Sequence, residues 1–214
     1  MAEITLAKTA GFCFGVRGAV DRAFELASSG TDAVTLGDII HNPQVVERLA
    51  RMGIPPVASP SDAAPGQTVL IRSHGVSKKV YNLLKNNPVV DCTCPFVAKI
   101  HRIVEEESAA GRVILVAGDA VHPEVEATVG FSSGPVFCFQ TEEELLEIIK
   151  KLKENGEKPV SLVAQTTFHV DLWKKFQQII ENHYTNAKIF DTICSATTMR
   201  QEEAMELASR SDYM

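Results

Sequence analysis

Short, largely apolar runs of two to five residues alternate along the chain with longer stretches in which apolar residues return every three or four positions. The runs predict strands at Ile4–Lys8, Val34–Leu36, Thr68–Arg72, Val113–Ala117, Val136–Phe139, Val160–Ala164 and Ile189–Phe190. The periodic stretches predict helices at Arg17–Ser28, Pro43–Met52, Lys78–Asn86, Val97–Ala110, Glu124–Gly130, Glu142–Glu154, Leu172–His183 and Met199–Ser209. Glu142–Glu154 is the clearest, with Thr141 placed to cap it and Leu145, Ile148, Ile149 and Leu152 on one face. Pro55-Pro56, Ala64-Pro65-Gly66 and Asn155-Gly156 supply turn signals between elements. Strands that alternate with helices in this way predict an α/β fold with mostly parallel sheets.

Composition narrows the classes. With 214 residues, 45% of them apolar, the chain has material for a real core. No apolar run reaches the roughly 18 to 20 residues of a membrane span. The start has no apolar block of the signal-peptide kind, so a cytoplasmic protein is expected. A formal charge of −6, with 21 basic against 27 acidic residues, argues against a protein that grips nucleic acid by bulk charge. A few placed donors can still hold an anionic ligand. Five cysteines, an odd number in a chain expected to be cytosolic, do not read as a disulfide framework. Metal binding, catalysis or burial must account for them.

An internal repeat carries more information. Cys13, Cys94 and Cys194 each follow an extended segment (Thr5–Phe12, Val89–Thr93 and Lys188–Ile193) and each precedes a helix. His41 follows Cys13 by 28 residues, and His122 follows Cys94 by the same 28. The strings Gly37-Asp38-Ile39-Ile40-His41 and Gly118-Asp119-Ala120-Val121-His122 are related by the same 81-residue shift as the cysteines. A looser match aligns Leu70-Ile71-Arg72-Ser73-His74 with Leu162-Val163-Ala164-Gln165-Thr166. Two α/β units are therefore expected, 13–93 and 94–193. A third begins at Cys194 and is expected to be incomplete, comprising 1–12 and 194–214, since its counterpart of His41 would fall at position 222, beyond Met214.

In doubly wound units ligands gather outside the carboxyl ends of parallel strands. Three units about a pseudo-threefold axis would aim Cys13, Cys94 and Cys194 at one point, each beside a helix N-terminus that favours the thiolate. Any one of these cysteines reads most simply as a buried core residue; three in matched settings point to a shared centre. Zinc would want a fourth protein ligand, or His/Glu ligands and a water. An iron–sulfur cluster normally takes four cysteines, so three would leave one iron open to a substrate. Cys92 and Cys138 lack the setting and read as structural. His101, His169 and His183 read as solvated or structural.

The surrounding strings make the pattern specific. Ala10-Gly11-Phe12-Cys13-Phe14-Gly15-Val16, His41-Asn42-Pro43, Arg72-Ser73-His74-Gly75-Val76, Asp91-Cys92-Thr93-Cys94-Pro95, His122-Pro123-Glu124-Val125 and Gln165-Thr166-Thr167 occur in order. Asp191-Thr192-Ile193-Cys194-Ser195-Ala196-Thr197 with Arg200-Gln201 completes them. Together they closely resemble the IspH (LytB) family of 4-hydroxy-3-methylbut-2-enyl diphosphate reductases, and the resemblance covers the whole chain.

The resemblance implies three α/β units around a central, oxygen-sensitive [4Fe-4S] cluster. It implies reductive removal of a hydroxyl to give isopentenyl and dimethylallyl diphosphates, the last step of the methylerythritol phosphate route to isoprenoids. Cys13, Cys94 and Cys194 would hold the cluster. His41, His74 and His122 would bind the diphosphate, and Glu124 would supply the proton. Thr166 would line the pocket, with adjacent Thr167 an alternative. The substrate would be a small allylic diphosphate and the electron donor a protein such as ferredoxin or flavodoxin, with no nucleic acid and no membrane. Members of the family continue with a Ser-x-Asn element and a later serine, both of which would lie past Met214. Two other readings stand beside this one. An electron-transfer or cluster-carrier protein would leave the histidines and Glu124 without a purpose, and a zinc-stabilised binding module differs from both in metal.

Overall fold

Parallel strands covered by helices on both faces read as near-continuous apolar runs, and such runs become the central strands of two sheets. A computed structural model describes residues 4–156 and 158–213. The first half runs α1 (Phe14–Ser28), β1 (Ala33–Leu36), α2 (Pro43–Arg51), β2 (Pro56–Val57), β3 (Thr68–Ile71), α3 (Lys78–Leu83) and β4 (Val89–Asp91). The second runs α4 (Pro95–Ala109), β5 (Val113–Ala117), α5 (Pro123–Val129), β6 (Val136–Phe139), α6 (Glu142–Glu154), β7 (Val160–Ala164), α7 (Val170–His183) and β8 (Lys188–Ile189), followed by α8 (Ser195–Arg210).

Each half builds a four-stranded, all-parallel sheet of the same order, β2-β1-β3-β4 and β6-β5-β7-β8. The chain is α/β. In the second sheet Val113, Leu115 and Ala117 face Leu145, Ile149, Trp173 and Phe176 of α6 and α7. Ile114 and Val116 face Ile100, Val104 and Val125 of α4 and α5. In the first sheet Ala33 and Leu70 pack with Ala19, Ala23 and Leu49 of α1 and α2, while Val34, Leu36, Val69 and Ile71 pack with Val76 and Leu84. Thr141 caps α6 as predicted, in a capping box with Glu144. Among the described residues no helix is long and apolar enough to cross a membrane.

Several expectations shift. Ile4–Lys8 is not a strand: it pairs with neither sheet, and Ile4 and Leu6 are 92% and 81% exposed. An apolar run becomes a strand only beside a partner that takes its hydrogen bonds. Here the amides of Lys8 and Thr9 donate instead to the Glu203 carboxylate of α8, at 2.7 and 2.8 Å. The extended segments before the cysteines are correspondingly short: β4 ends three residues before Cys94, β8 five before Cys194, and among the described residues no strand precedes Cys13. Past β8 the Thr192 hydroxyl continues the pairing in place of backbone, accepting from the Ala164 amide and donating to its carbonyl. Helices α1, α4, α7 and α8 begin two to four residues earlier than the periodicity indicates.

Candidate active site

The three repeated cysteines are the N-cap residues of α1, α4 and α8. All are free and half-buried. Cys94 takes its place through its own amide, which donates to the Ser73 carbonyl past the end of β3; Cys194 does the same to Thr166 past the end of β7. Burial pushes the Cys94 thiol up, amides of the first turn of α4 pull it down, and the thiols of Cys13 and Cys194 raise it further. The sulfurs of Cys13 and Cys194 are thus both within electrostatic range of the Cys94 sulfur. Gly15 makes room for the group: a Cβ there would lie 2.4 Å from the Cys94 Sγ. The Cys194 thiol lies 3.1 Å from the Thr197 hydroxyl. By contrast Cys92 and Cys138 pack into the hydrophobic clusters of the two sheets. Burial, reinforced by Asp91, pushes the Cys92 thiol up to about 11, far from the reactive range.

Three imidazoles converge nearby. His41 lies just before α2, His74 after β3, and His122 caps α5. The ring centroids of His41 and His74 are 4.5 Å apart, and those of His122 lie 5.6 and 5.4 Å from them. The Glu124 amide donates to Nδ1 of His122 at 3.1 Å, so the proton of the neutral ring sits on Nε2. His74 turns into the group through Gly75, whose φ of +71° only glycine adopts readily and whose amide closes a turn onto the Arg72 carbonyl. Nδ1 of His74 is buried without a partner among the described residues. Burial first, then the charges of His41, His122 and Arg72, hold its pKa down to about 3. His122 is lowered by the same kinds of influence. Each ring can offer an N–H to an incoming anion.

Behind them Glu124, on the first turn of α5, is 2% exposed. Its carboxylate accepts from the Thr166 amide at 2.6 Å and from the Thr166 hydroxyl at 2.7 Å. Burial outweighs both bonds and raises its pKa. The strand register corrects the alignment of the two halves here. Leu36 pairs with Ile71, and its counterpart Ala117 pairs with Ala164. Arg72 therefore matches Gln165, Ser73 matches Thr166, and His74 matches Thr167, one residue later than the sequence comparison. Thr166 is buried and committed to Glu124, while Thr167 is exposed at the position of His74.

Other side chains brace the segments around these groups. Arg200 of α8 donates to the carbonyls of Thr9 and Gly11, and so ties down the segment before Cys13. Gln201 donates to the Phe168 carbonyl. His101, read as solvated or structural, is buried against Gly75 and stacks on Phe131 at 4.2 Å. His169 caps α7, and His183 lies 3.5 Å from the Lys153 amine.

Known proteins resemble this chain over nearly its whole length. A family model described as LytB protein matches residues 4–214. A curated relative from Citrifermentans bemidjiense, named 4-hydroxy-3-methylbut-2-enyl diphosphate reductase, is 41% identical over 214 residues, covering 99% of this chain and 74% of the relative. One of the same name from Geotalea uraniireducens is 42% identical, covering 99% of this chain and 73% of its own length. Among solved structures, one described as (E)-4-hydroxy-3-methyl-but-2-enyl diphosphate reductase, the terminal enzyme of the non-mevalonate pathway, is 36% identical over 99% of this chain and 75% of its own, with a TM-score of 0.78. The corresponding reductase structure from Plasmodium falciparum is 25% identical over 94% of this chain and 64% of its own, with a TM-score of 0.85.

Proposed function

The chain belongs to the LytB family, and from that premise we propose that it reduces 4-hydroxy-3-methylbut-2-enyl diphosphate to isopentenyl and dimethylallyl diphosphates, the last step of the methylerythritol phosphate pathway. The observation that carries this reading is the convergence of His41, His74 and His122 in front of a buried Glu124 whose pKa burial raises. Loss of the hydroxyl as water takes two electrons and one proton; a second proton ends on carbon. The diphosphate lies against the three imidazoles, which donate to its oxygens and gain charge as the anion approaches. Glu124 delivers the proton to the departing hydroxyl, with Thr166 fixing the direction of its carboxyl.

The family implies an iron–sulfur cofactor, and the thiols fit one. Three free cysteines at three helix N-termini, electrostatically coupled and admitted by a bare Gly15, are a donor set for iron. Cys13, Cys94 and Cys194 would hold a [4Fe-4S] cluster with one iron free of protein ligand. When bound, the cluster supplies the electrons, delivered from a donor such as ferredoxin or flavodoxin, and a Lewis acid next to the substrate hydroxyl. The repeat supports reading 13–93 and 94–193 as two units of a pseudo-threefold ring, with 1–12 and 194–214 belonging to its third. The compartment in this reading is the cytoplasm.

The test is anaerobic reconstitution with iron and sulfide, followed by titration with inorganic diphosphate. About four irons per chain are expected. Diphosphate affinity should fall roughly 10- to 100-fold in His41→Ala and in His74→Ala, the loss of a charge-assisted donor. Diphosphate binding that ignores both histidines would overturn the assignment of the pocket.

A further inference from the structure

A half-buried guanidinium stands beside the histidine trio and meets no carboxylate. Arg72 follows β3 directly, two residues before His74. Among the described residues its side chain makes no hydrogen bond and no ion pair, and its Nε is buried without a partner. Asp38 and Glu126 act on it only at longer range. Its charge in turn bears on His74 and on His122.

The position is prepared for it. Gly37, with φ of +69°, carries no Cβ, and a Cβ there would stand 2.8 Å from Nη1 of Arg72. Gly118, 81 residues later, is the same position of the second half, and a Cβ there would meet the Gln165 side chain at 3.0 Å. Arg72 and Gln165 are counterparts by strand register. The same notch thus receives two different groups. Gln165 is neutral and its amide is spent on its neighbours, accepting from the Asp119 amide of the loop after β5 and donating to the Thr167 hydroxyl. Arg72 is a cation whose donors are unspent.

A partly buried cation that no carboxylate touches is costly to desolvate, and an anion in contact with it offsets that cost. Burial beside Arg72 disfavours the charged forms of His74 and His122, so those rings add little attraction of their own beforehand. Arginine is charged at every relevant pH and presents paired donors suited to phosphate oxygens. We propose that Arg72 is a further diphosphate-binding residue of this site, the fixed charge that draws and holds the anion which the three histidines then orient. The inference rests on the diphosphate reading above and adds a residue to it.

The experiment is titration of the reconstituted protein with inorganic diphosphate at low and moderate salt. The variants are Arg72→Lys, Arg72→Met and Arg72→Gln, with the wild type beside them. Methionine keeps the stem packed on Gly37 and removes the charge; lysine keeps the charge; glutamine reproduces the group used at Gln165 and serves if methionine disturbs the fold. Affinity should fall about 10- to 100-fold in Arg72→Met and Arg72→Gln and become less sensitive to salt. Arg72→Lys should stay within a few fold of wild type. Neutral variants that bind as wild type does would overturn the proposal, as would a lysine variant that loses as much as they do, since the role would then be packing. If the wild type itself fails to bind diphosphate, the functional reading falls and takes this inference with it.

Discussion

Two opposed influences meet on the Glu124 carboxyl. The amide and hydroxyl of Thr166 both donate to it and favour the charged form, while near-complete burial disfavours that form and prevails. A carboxyl in this state keeps its proton at pH values where an exposed glutamate has lost it, yet stays aligned by two short bonds. Such a group is built to give a proton rather than to take one. Activity should therefore fall as pH rises through the raised pKa of Glu124, because the acid form is then depleted. Glu124→Gln keeps the shape of the side chain and cannot deliver the proton. It should lower turnover about 10²- to 10⁴-fold, leave diphosphate affinity near wild type, and abolish that limb of the pH profile. Turnover within a few fold of wild type, measured with saturating reductant, would assign the proton to another donor.

At the level of elements, the sequence pattern is most informative where burial is total. Val113–Ala117 and Val160–Ala164, buried at every position, were legible to the residue, since strands covered on both faces read as near-continuous apolar runs in which Ser161 is the one polar residue. Val136–Phe139 also matched, although it is an edge strand with only Phe139 fully buried. Strands β2 and β4 are two and three residues long, partly exposed, and begin at or just after proline, so no periodicity marks them. The reading of Ile4–Lys8 failed for a different cause: apolar residues express a need for burial but do not name a partner. Helix starts were misplaced where the caps are Cys13, Cys94, Cys194 and His169, residues outside the usual Ser, Thr, Asp and Asn set. The cysteine and histidine spacing exposed the repeat, but it could not fix the register of His74 against Thr167, which depends on strand pairing. Helix α1 offers a paired test of how an element serves the site. Gly18 has open space where a Cβ would go, while a Cβ at Gly15 would strike the Cys94 sulfur. Alanine favours helix over glycine by about 1 kcal/mol. Gly18→Ala should thus raise stability by roughly 0.5–1 kcal/mol in thermal or urea unfolding and leave the iron content alone. Gly15→Ala has the same intrinsic advantage but should lose iron after reconstitution. Equal iron in the two variants would separate α1 from the metal centre.

Over the whole molecule, the two sheets meet along a seam made by the loop after β3 with α3 on one side and α4 with α5 on the other. A Cβ at Gly130 would press on Ser77, Lys78 pairs with Glu105, and Tyr81 and Lys78 both approach the Phe131 ring. His101 lies in this seam, 4% exposed, beneath Gly75 and stacked on Phe131, with Nε2 buried and unpartnered among the described residues. Burial lowers its pKa to about 4, with Asp91 the opposing influence. The unfolded chain returns it to about 6.5, so below that pH the unfolded state binds more protons than the folded one. Stability contributed by the neutral ring is complete above about pH 6.5 and is lost as pH falls toward 4. Integrated, that loss is about 2 kcal/mol at pH 5. His74, held down to about 3, adds to the same acid slope from the site side of Gly75. The molecule should therefore come apart along its seam in mild acid, with the histidine trio, one residue from Gly75, losing its geometry early. His101→Phe keeps an aromatic ring against Phe131 and removes the titrating group. Its urea midpoint should change much less between pH 7 and pH 5 than that of the wild type, and it should be the more stable of the two at pH 5. If both proteins lose the same stability over that interval, protonation of His101 does not govern the seam, and the acid response belongs to the carboxylates elsewhere in the fold.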